Sequence, residues 1–322
     1  FAPQNTVVGA IDAFNEKQDF ELFLIGKKAE ILSVIKSNQL SFDEKYIIDA
    51  EEIIEMGDSP TSALKSKPNS SIVKGAQLVK EGKADAFVSA GNTGAMMSAS
   101  TLIMGRIPGV GRPTIGAEMP NVYGKCYLYD VGAGKDAKYS HLFEYAVMGT
   151  IYAKEMGGIK NPSVGLLSMG EEDGKGNEVS NEAFKLLKDS KLNFIGNVEG
   201  RDIMTKQVDV IVCDGFVGNI ILKFGESVPK LLKHLLTKTA EASFFDKLKV
   251  GLSKDTLKKS LKSLDYQEHG GVPLLGVNGI SIIGHGSSSP KAIKNMVLKA
   301  REMYNKDLIN KIENSIKQYS QK

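Results

Sequence analysis

The chain predicts an α/β protein with a mainly parallel sheet and helices on both faces, and three observations carry that expectation. Short apolar runs alternate with longer segments of 3.6-residue apolar period along the chain. The intervening segments are long enough to serve as helical crossovers, which parallel neighbours require. Polar, glycine-rich turns follow several of the apolar runs, where open α/β sheets bind ligands at the carboxyl ends of their strands.

The predicted strands, in order, are Phe20 to Ile25, Tyr46 to Asp49, Ala84 to Val88, Cys126 to Val131, Val164 to Ser168, Asn193 to Ile195, Val208 to Cys213 and Ile280 to Ile283. These runs have strand length and are too short to make helices. Helical spacing covers Asn5 to Glu16, Lys27 to Lys36, Ser70 to Lys80, Thr93 to Met104, Ser140 to Lys154, Glu178 to Lys188 and Pro290 to Lys317. Pro290 suits a first helical position, where its missing N–H costs nothing.

From Glu226 to Asp265 the alternation stops. This stretch has nine lysines against five acidic residues and no strand signal. Leu231, Leu232, Leu235, Leu236, Phe244, Phe245, Leu248, Leu252, Leu257, Leu261 and Leu264 recur at helical spacing. The expectation is a helical hairpin over residues 226–265, turning at Gly251-Leu252-Ser253 and projecting from a single α/β domain over residues 1–322. Its apolar stripe either packs on protein or, at Phe244, Phe245, Leu248 and Leu252 with Lys247 and Lys249 between them, rests in a membrane interface.

Composition bounds the function. The 322 residues can bury a large core, and 41 basic against 38 acidic residues leave a formal charge of +3, which argues against a general nucleic-acid binder. Cys126 and Cys213 lie in apolar runs and read as small buried hydrophobes. No Cys-x-x-Cys or histidine cluster offers metal-ligand spacing, so no metal is expected. No signal peptide and no run of roughly 18–20 apolar residues is present. The chain opens at Phe1-Ala2-Pro3, without Met and directly ahead of a helical pattern, so an initial strand is expected to precede it.

Ser89-Ala90-Gly91-Asn92-Thr93-Gly94-Ala95 forms a strand-to-helix turn of small residues, a place where backbone N–H groups and the helix dipole favour anions. It has neither the Gly-Lys-Ser/Thr of a nucleotide-binding loop nor a G-x-G-x-x-G spacing. Comparable turns stand at residues 130–134, 170–178, 214–219 and 284–288. All are expected to converge on one cleft.

Within those turns the side chains admit two readings each. Lys175, between Gly174 and Gly176, is either a solvated charge or a cation that reaches an anionic substrate. Asn219 either caps a helix beginning at Ile220, the simpler reading, or donates to an oxyanion. Arg201 pairs with Glu199 and Asp202 or presents a two-pronged donor to phosphate. Asp130 and Asp214 hold turns by accepting backbone N–H bonds, the favoured reading, or orient a cationic group. His285 is a loop residue or, with Ser287, part of a second anion cradle. With no Gly-x-Ser-x-Gly elbow or identifiable triad, chemistry without a protein nucleophile is preferred.

Taken together, residues 80–95, Gly105-Arg106-Ile107-Pro108-Gly109 with Arg112-Pro113, Asp130-Val131-Gly132-Ala133, Lys175-Gly176-Asn177-Glu178, residues 193–202, Asp214-Gly215-Phe216-Val217-Gly218-Asn219, residues 270–276 and His285-Gly286-Ser287-Ser288 resemble the bacterial phosphate acyltransferases of phospholipid synthesis. The match spans nearly the whole chain in order. It departs at Gly134, where that family has Asn, and at His269, where it has Tyr. The resemblance implies a three-layer α/β/α fold akin to phosphotransacetylases and isocitrate-dehydrogenase-like proteins, a homodimer, and a hairpin that associates with the membrane. The implied reaction moves a long-chain acyl group from acyl-[acyl carrier protein] to inorganic phosphate, with no metal or organic cofactor.

In that family the positions matching Lys175 and Asn219 are implicated in catalysis. Ser89, Gly91, Asn92, Thr93 and Gly94 are expected to hold phosphate, with Arg201, Asp130, Asp214, His285 and Ser287 around it. A cytoplasmic, peripherally membrane-bound location and hand-off of product to a glycerol-3-phosphate acyltransferase complete the expectation. The rivals are a phosphotransacetylase acting on acyl-CoA and a non-catalytic scaffold that recruits partners to a membrane.

Overall fold

The computed structural model describes residues 2–134, 136–260 and 270–320; Leu261, Leu264 and Asp265 of the basic segment, and His269, lie outside them. The first half of the chain runs α1 (Gln4–Glu16), β1 (Leu24–Gly26), α2 (Lys28–Ser37), β2 (Ile47–Asp49), α3 (Pro60–Ser66), α4 (Ser71–Lys80), β3 (Ala86–Ser89), α5 (Thr93–Ala99), β4 (Thr114–Asn121), β5 (Gly124–Tyr129) and α6 (Tyr139–Glu155). There follow β6 (Ser163–Leu167), α7 (Glu178–Lys188), β7 (Asn193–Val198), α8 (Asp202–Thr205), β8 (Val210–Val212), α9 (Gly215–Ala242), α10 (Phe244–Ser260), β9 (Val272–Leu275), β10 (Ile280–Ile283), α11 (Pro290–Asn305) and α12 (Leu308–Ser320).

Eight strands form one sheet in the order β3-β10-β9-β4-β5-β8-β6-β7, and β1 and β2 make a separate parallel pair. Side chains alternate across the sheet, as a two-residue period dictates. Tyr127, Tyr129, Val210 and Val212 join one core with α6, α11 and α12, while Cys126, Leu128, Ile211 and Cys213 join a second core with α4 and α5. The result is a three-layer α/β/α sandwich.

Every predicted strand overlaps a strand of the structure, but β4 and β9 have no counterpart in the sequence reading. Gly116, Ala117 and Pro120 in β4 and Pro273 in β9 are poor strand formers, which hid both elements. Gly116 is required by close approach, because a side-chain carbon there would lie inside the Tyr129 ring. These two strands reverse the sheet. β3 is parallel to β10, and β5, β8, β6 and β7 are parallel to one another. The pairs β10–β9, β9–β4 and β4–β5 are antiparallel. Three reversals leave the two parallel blocks running in opposite senses.

Two other expectations change. The last predicted helix is two, broken where Asp307 takes φ 54°, a left-handed conformation that Asp tolerates better than most side chains. The hairpin turns at Ser243, not at Gly251-Leu252-Ser253, which is helical. Ser243 is extended, its hydroxyl accepts from Asp246 N at 3.1 Å and donates to the Asp246 carboxylate at 2.7 Å, and so it caps α10. The first arm also begins earlier than residue 226, at Gly215. Phe244 and Phe245 therefore stand at the turn itself, 77% and 72% exposed, with rings edge to face at 6.1 Å. Among the described residues no helix is long and apolar enough to cross a membrane.

Candidate functional site

The reversal sorts the glycine-rich turns into two groups. The carboxyl ends of β3 and β10 carry Ser89 to Gly94 and His285 to Ser287 at one edge of the sheet. Those of β5, β8, β6 and β7 carry Asp130, Asp214 with Asn219, Lys175 and Arg201 at the opposite edge. Strand sense alone therefore does not bring the two groups of turns together within one chain.

At the first edge, Asn92 is 6% exposed and fully engaged. Its Oδ1 accepts from Ala95 N at 2.9 Å, capping α5, while its Nδ2 donates to Glu55 O at 2.9 Å and Met56 O at 3.3 Å. Ser89 Oγ accepts from Gly91 N at 3.2 Å, and a side chain at Gly94 would press on Pro60. His285 Nδ1 lies 3.0 Å from Ser287 Oγ, and the adjoining Gly284 N donates to Ser89 O at 2.8 Å, which joins the two turns.

At the second edge, Asp130 organises the turn after β5. It is fully buried; Oδ1 accepts from Ile115 N (3.2 Å), Gly132 N (3.1 Å) and Ala133 N (2.9 Å), and Oδ2 accepts from Gly134 N (2.9 Å). Burial pushes its carboxyl above the ordinary carboxylate range, and the four N–H groups oppose that shift. Asp130 therefore shapes the turn and does not reach a substrate. Asp214 is likewise spent on backbone, capping α9 through Phe216 N at 3.0 Å and Val217 N at 2.9 Å. That assignment removes capping as a role for Asn219, since the helix starts at Gly215 and not at Ile220.

The glycines of Asp214-Gly215-Phe216-Val217-Gly218-Asn219 have a geometric purpose. Any side chain at Gly215 would collide with Gly134 O, and one at Gly218 with Asp130 O. Their absence lets the first turn of α9 press against the Asp130 turn. Asn219, exposed, then lies over Gly132, with its Oδ1 3.5 Å from where a Gly132 side chain would begin.

Lys175 stands at the end of β6, next to β8. Its loop is tied by Asn197 Nδ2 to Glu172 O at 2.9 Å, Lys206 to Glu171 at 2.9 Å and Lys188 to Asp173 at 2.8 Å. Gly174 and Gly176 adopt φ 84° and 117°, which side-chain-bearing residues avoid. Glu171 and Asp173 are thus engaged elsewhere, and among the described residues no ion pair joins the Lys175 ammonium to a carboxylate. Arg201 is exposed and its Nε contacts the Glu199 carboxylate at 2.9 Å, the acid-pairing alternative.

The two halves of the chain do meet, through a helix and not a turn. α5 starts at the first edge and runs back along the sheet, continuing as a π-helical turn over Ser100–Met104. Asn278 N then donates to Gly105 O, and Ile107 N to Gly276 O just past the end of β9, which puts this segment at the second edge. Met97, Ser98 and Thr101 there face Arg112 and Ala133 across a cavity of about 270 Å³. Arg112 escaped the sequence reading as a site residue. Its position inside Arg112-Pro113, between a loop and a strand lacking strand character, gave no functional signal.

Neither thiol offers a nucleophile: burial pushes Cys126 up to about 12 and Cys213 well above its ordinary value. Among the described residues no three His, Cys, Asp or Glu side chains stand together in a way that could hold a metal ion.

The profile of the family described as fatty acid synthesis protein matches residues 1–311. The chain is similar to the phosphate acyltransferase of Halothermothrix orenii, 45% identical over 317 residues, which cover 98% of this chain and 95% of that protein. It is 44% identical to the phosphate acyltransferase of Thermodesulfovibrio yellowstonii, over 99% of this chain and 92% of that one. Among solved structures, a phosphotransacetylase from Streptococcus pyogenes is similar with a TM-score of 0.63 at 17% identity, covering 94% of this chain and 92% of that chain. A phosphotransacetylase from Staphylococcus aureus gives 0.59 at 17% identity, over 93% and 92%. At that identity the structural likeness concerns the fold.

Proposed function

The chain belongs to the fatty acid synthesis protein family and is an acyltransferase, and from that premise we propose that it transfers a long-chain acyl group from acyl-[acyl carrier protein] to inorganic phosphate. The observation that carries the site assignment is the second edge. There an ammonium unpaired among the described residues, Lys175, and an exposed amide, Asn219, stand in the loops after neighbouring strands, beside a turn whose backbone is locked by Asp130.

In this reading a phosphate oxygen attacks the thioester carbonyl. The C–O bond forms, the C–S bond breaks, and the proton on phosphate passes to the departing thiolate. Asn219 Nδ2 donates to the developing oxyanion, and Lys175 offsets the charge of the incoming phosphate, with Arg201 as a further cation. Positioning and fixed dipoles supply most of the acceleration. The product is an acyl phosphate, the donor a glycerol-3-phosphate acyltransferase would consume.

The assay follows phosphate-dependent acyl phosphate by hydroxylamine trapping, with long-chain acyl carrier protein or acyl-CoA as donor. Product from the carrier-protein thioester is expected. Product mainly from acyl-CoA would favour a phosphotransacetylase, and none from folded protein a scaffold.

The Ser89 to Gly94 turn, His285 and Ser287 stand at the opposite strand edge of the same chain, and Thr61, beside the Pro60 that Gly94 approaches, lines the cavity between the two edges. A homodimer accords with α9, where Phe216, Ile220, Phe224, Leu231 and Leu235 form one exposed apolar face that starts beside Asn219. The tip at Phe244, Phe245, Leu248 and Leu252, with Lys247 and Lys249, suits an anionic membrane surface and makes the protein peripheral. Phe224→Glu is expected to give a monomer in sedimentation. Phe244→Glu or Leu248→Glu is expected to leave the dimer and soluble turnover intact while releasing the protein from anionic vesicles. Unchanged vesicle binding in both tip variants rejects the membrane contact.

A further inference from the structure

The cavity between α5 and the Asp130 turn has one charged wall. Among the described residues Arg112 is the only ionisable one lining it, and Thr61, Ser98 and Thr101 add hydroxyl groups with no carboxylate among the lining residues described. Met97 and Leu274 supply apolar surface beside them. The Arg112 guanidinium is held from behind: its Nη1 donates to Asp136 O at 2.6 Å, and its own backbone N and that of Gly111 donate to Glu144 Oε2 at 3.4 and 2.9 Å. It also lies over Gly134, where a side-chain carbon would meet Arg112 Cζ at 2.5 Å. Gly134 N is itself fixed by Asp130. Ala133, the cavity wall nearest the catalytic edge, is one residue from Gly132, over which Asn219 lies.

We infer that Arg112 is the residue that binds the phosphate nucleophile, in this cavity, with the Ser98 and Thr101 hydroxyls as further donors. The inference rests on the phosphate-dependent transfer proposed above and adds the seat of the phosphate to it. A guanidinium presents paired N–H donors in one plane, the geometry that matches two phosphate oxygens, and lysine cannot reproduce it. The volume accommodates a tetrahedral dianion together with the reacting end of an acyl thioester, whose first methylenes meet Met97 and Leu274. Phosphate seated against Ala133 lies one residue from Gly132, the glycine that Asn219 overlies, on the side from which the oxyanion donor is proposed to act.

The test is steady-state kinetics of Arg112→Ala, Arg112→Lys and Thr101→Val on the full chain, varying phosphate and acyl carrier protein thioester separately, with melting temperature as the fold control. Arg112→Ala is expected to raise the KM for phosphate at least tenfold with the thioester KM within about twofold of wild type. Arg112→Lys should fall between, and Thr101→Val should raise the phosphate KM by a smaller factor in an undisturbed fold. An unchanged phosphate KM in Arg112→Ala and Thr101→Val, or a rise confined to the thioester KM, overturns the assignment. Failure of the wild-type protein to form acyl phosphate from either thioester overturns the underlying reaction instead. Should Arg112→Ala not fold, Arg112→Lys and Thr101→Val decide the matter by the same KM ratio.

Discussion

Asn219→Ala and Lys175→Ala are each expected to lower turnover by about 10²–10³-fold, the loss typical when a fixed donor to a developing oxyanion is removed. Neither should lower the melting temperature. Asn219 is exposed in the second turn of α9, and alanine favours a helix more than asparagine does. For Lys175 the bonds that hold the loop are backbone ones, Lys175 N to Glu172 O at 3.2 Å and Ser168 Oγ to Lys175 O at 2.9 Å, and alanine keeps both. Stability and activity therefore separate in these variants. The measurement is turnover with carrier-protein thioester beside thermal unfolding, and activity within about threefold of wild type in both would remove the pair from the mechanism.

Asp130→Ala has the opposite signature, a loss of stability of about 3–5 kcal/mol, because four backbone N–H groups in a buried turn lose their acceptor together. In a chain of this size that corresponds to a melting temperature lower by roughly 4–7 °C. Asp130→Asn should be milder. It keeps an acceptor for the three N–H groups at Oδ1 but sets an amide donor against Gly134 N, a cost of about 1–3 kcal/mol for the unsatisfied donor. Turnover falls in both, since the turn supports Gly132 beneath Asn219 and Gly134 beneath Arg112. A melting temperature for Asp130→Ala within about 2 °C of wild type would mean that water replaces the carboxylate, contrary to its complete burial.

Much of the site was legible because its parts are local. Asp214-Gly215-Phe216-Val217-Gly218-Asn219 carries both the cap and the two glycines that let a helix press on a neighbouring turn, and Gly174 and Gly176 announce the positive-φ loop around Lys175. Ser243-Phe244-Phe245-Asp246 also held a readable helix start, although the glycine at 251 drew the expected turn away from it. Arg112 was not legible. Its partners, Asp136 and Gly134, and the helix across the cavity come from separate segments, and no spacing encodes their meeting.

By itself the sequence determined the α/β class, the strand and helix runs with strong periodicity, the polar turns, and the membership that those motifs announce, because each depends on residues near one another in the chain. Only the tertiary structure decided which turns share an edge. Strand sense is a property of pairing between distant segments, and β4 and β9, which reverse it, are interrupted by Gly116, Ala117 and Pro120 and by Pro273, which weaken their β signal. The same reversal sends α5 back along the sheet to face Arg112, so that the cavity, unlike the turns, is built by packing alone.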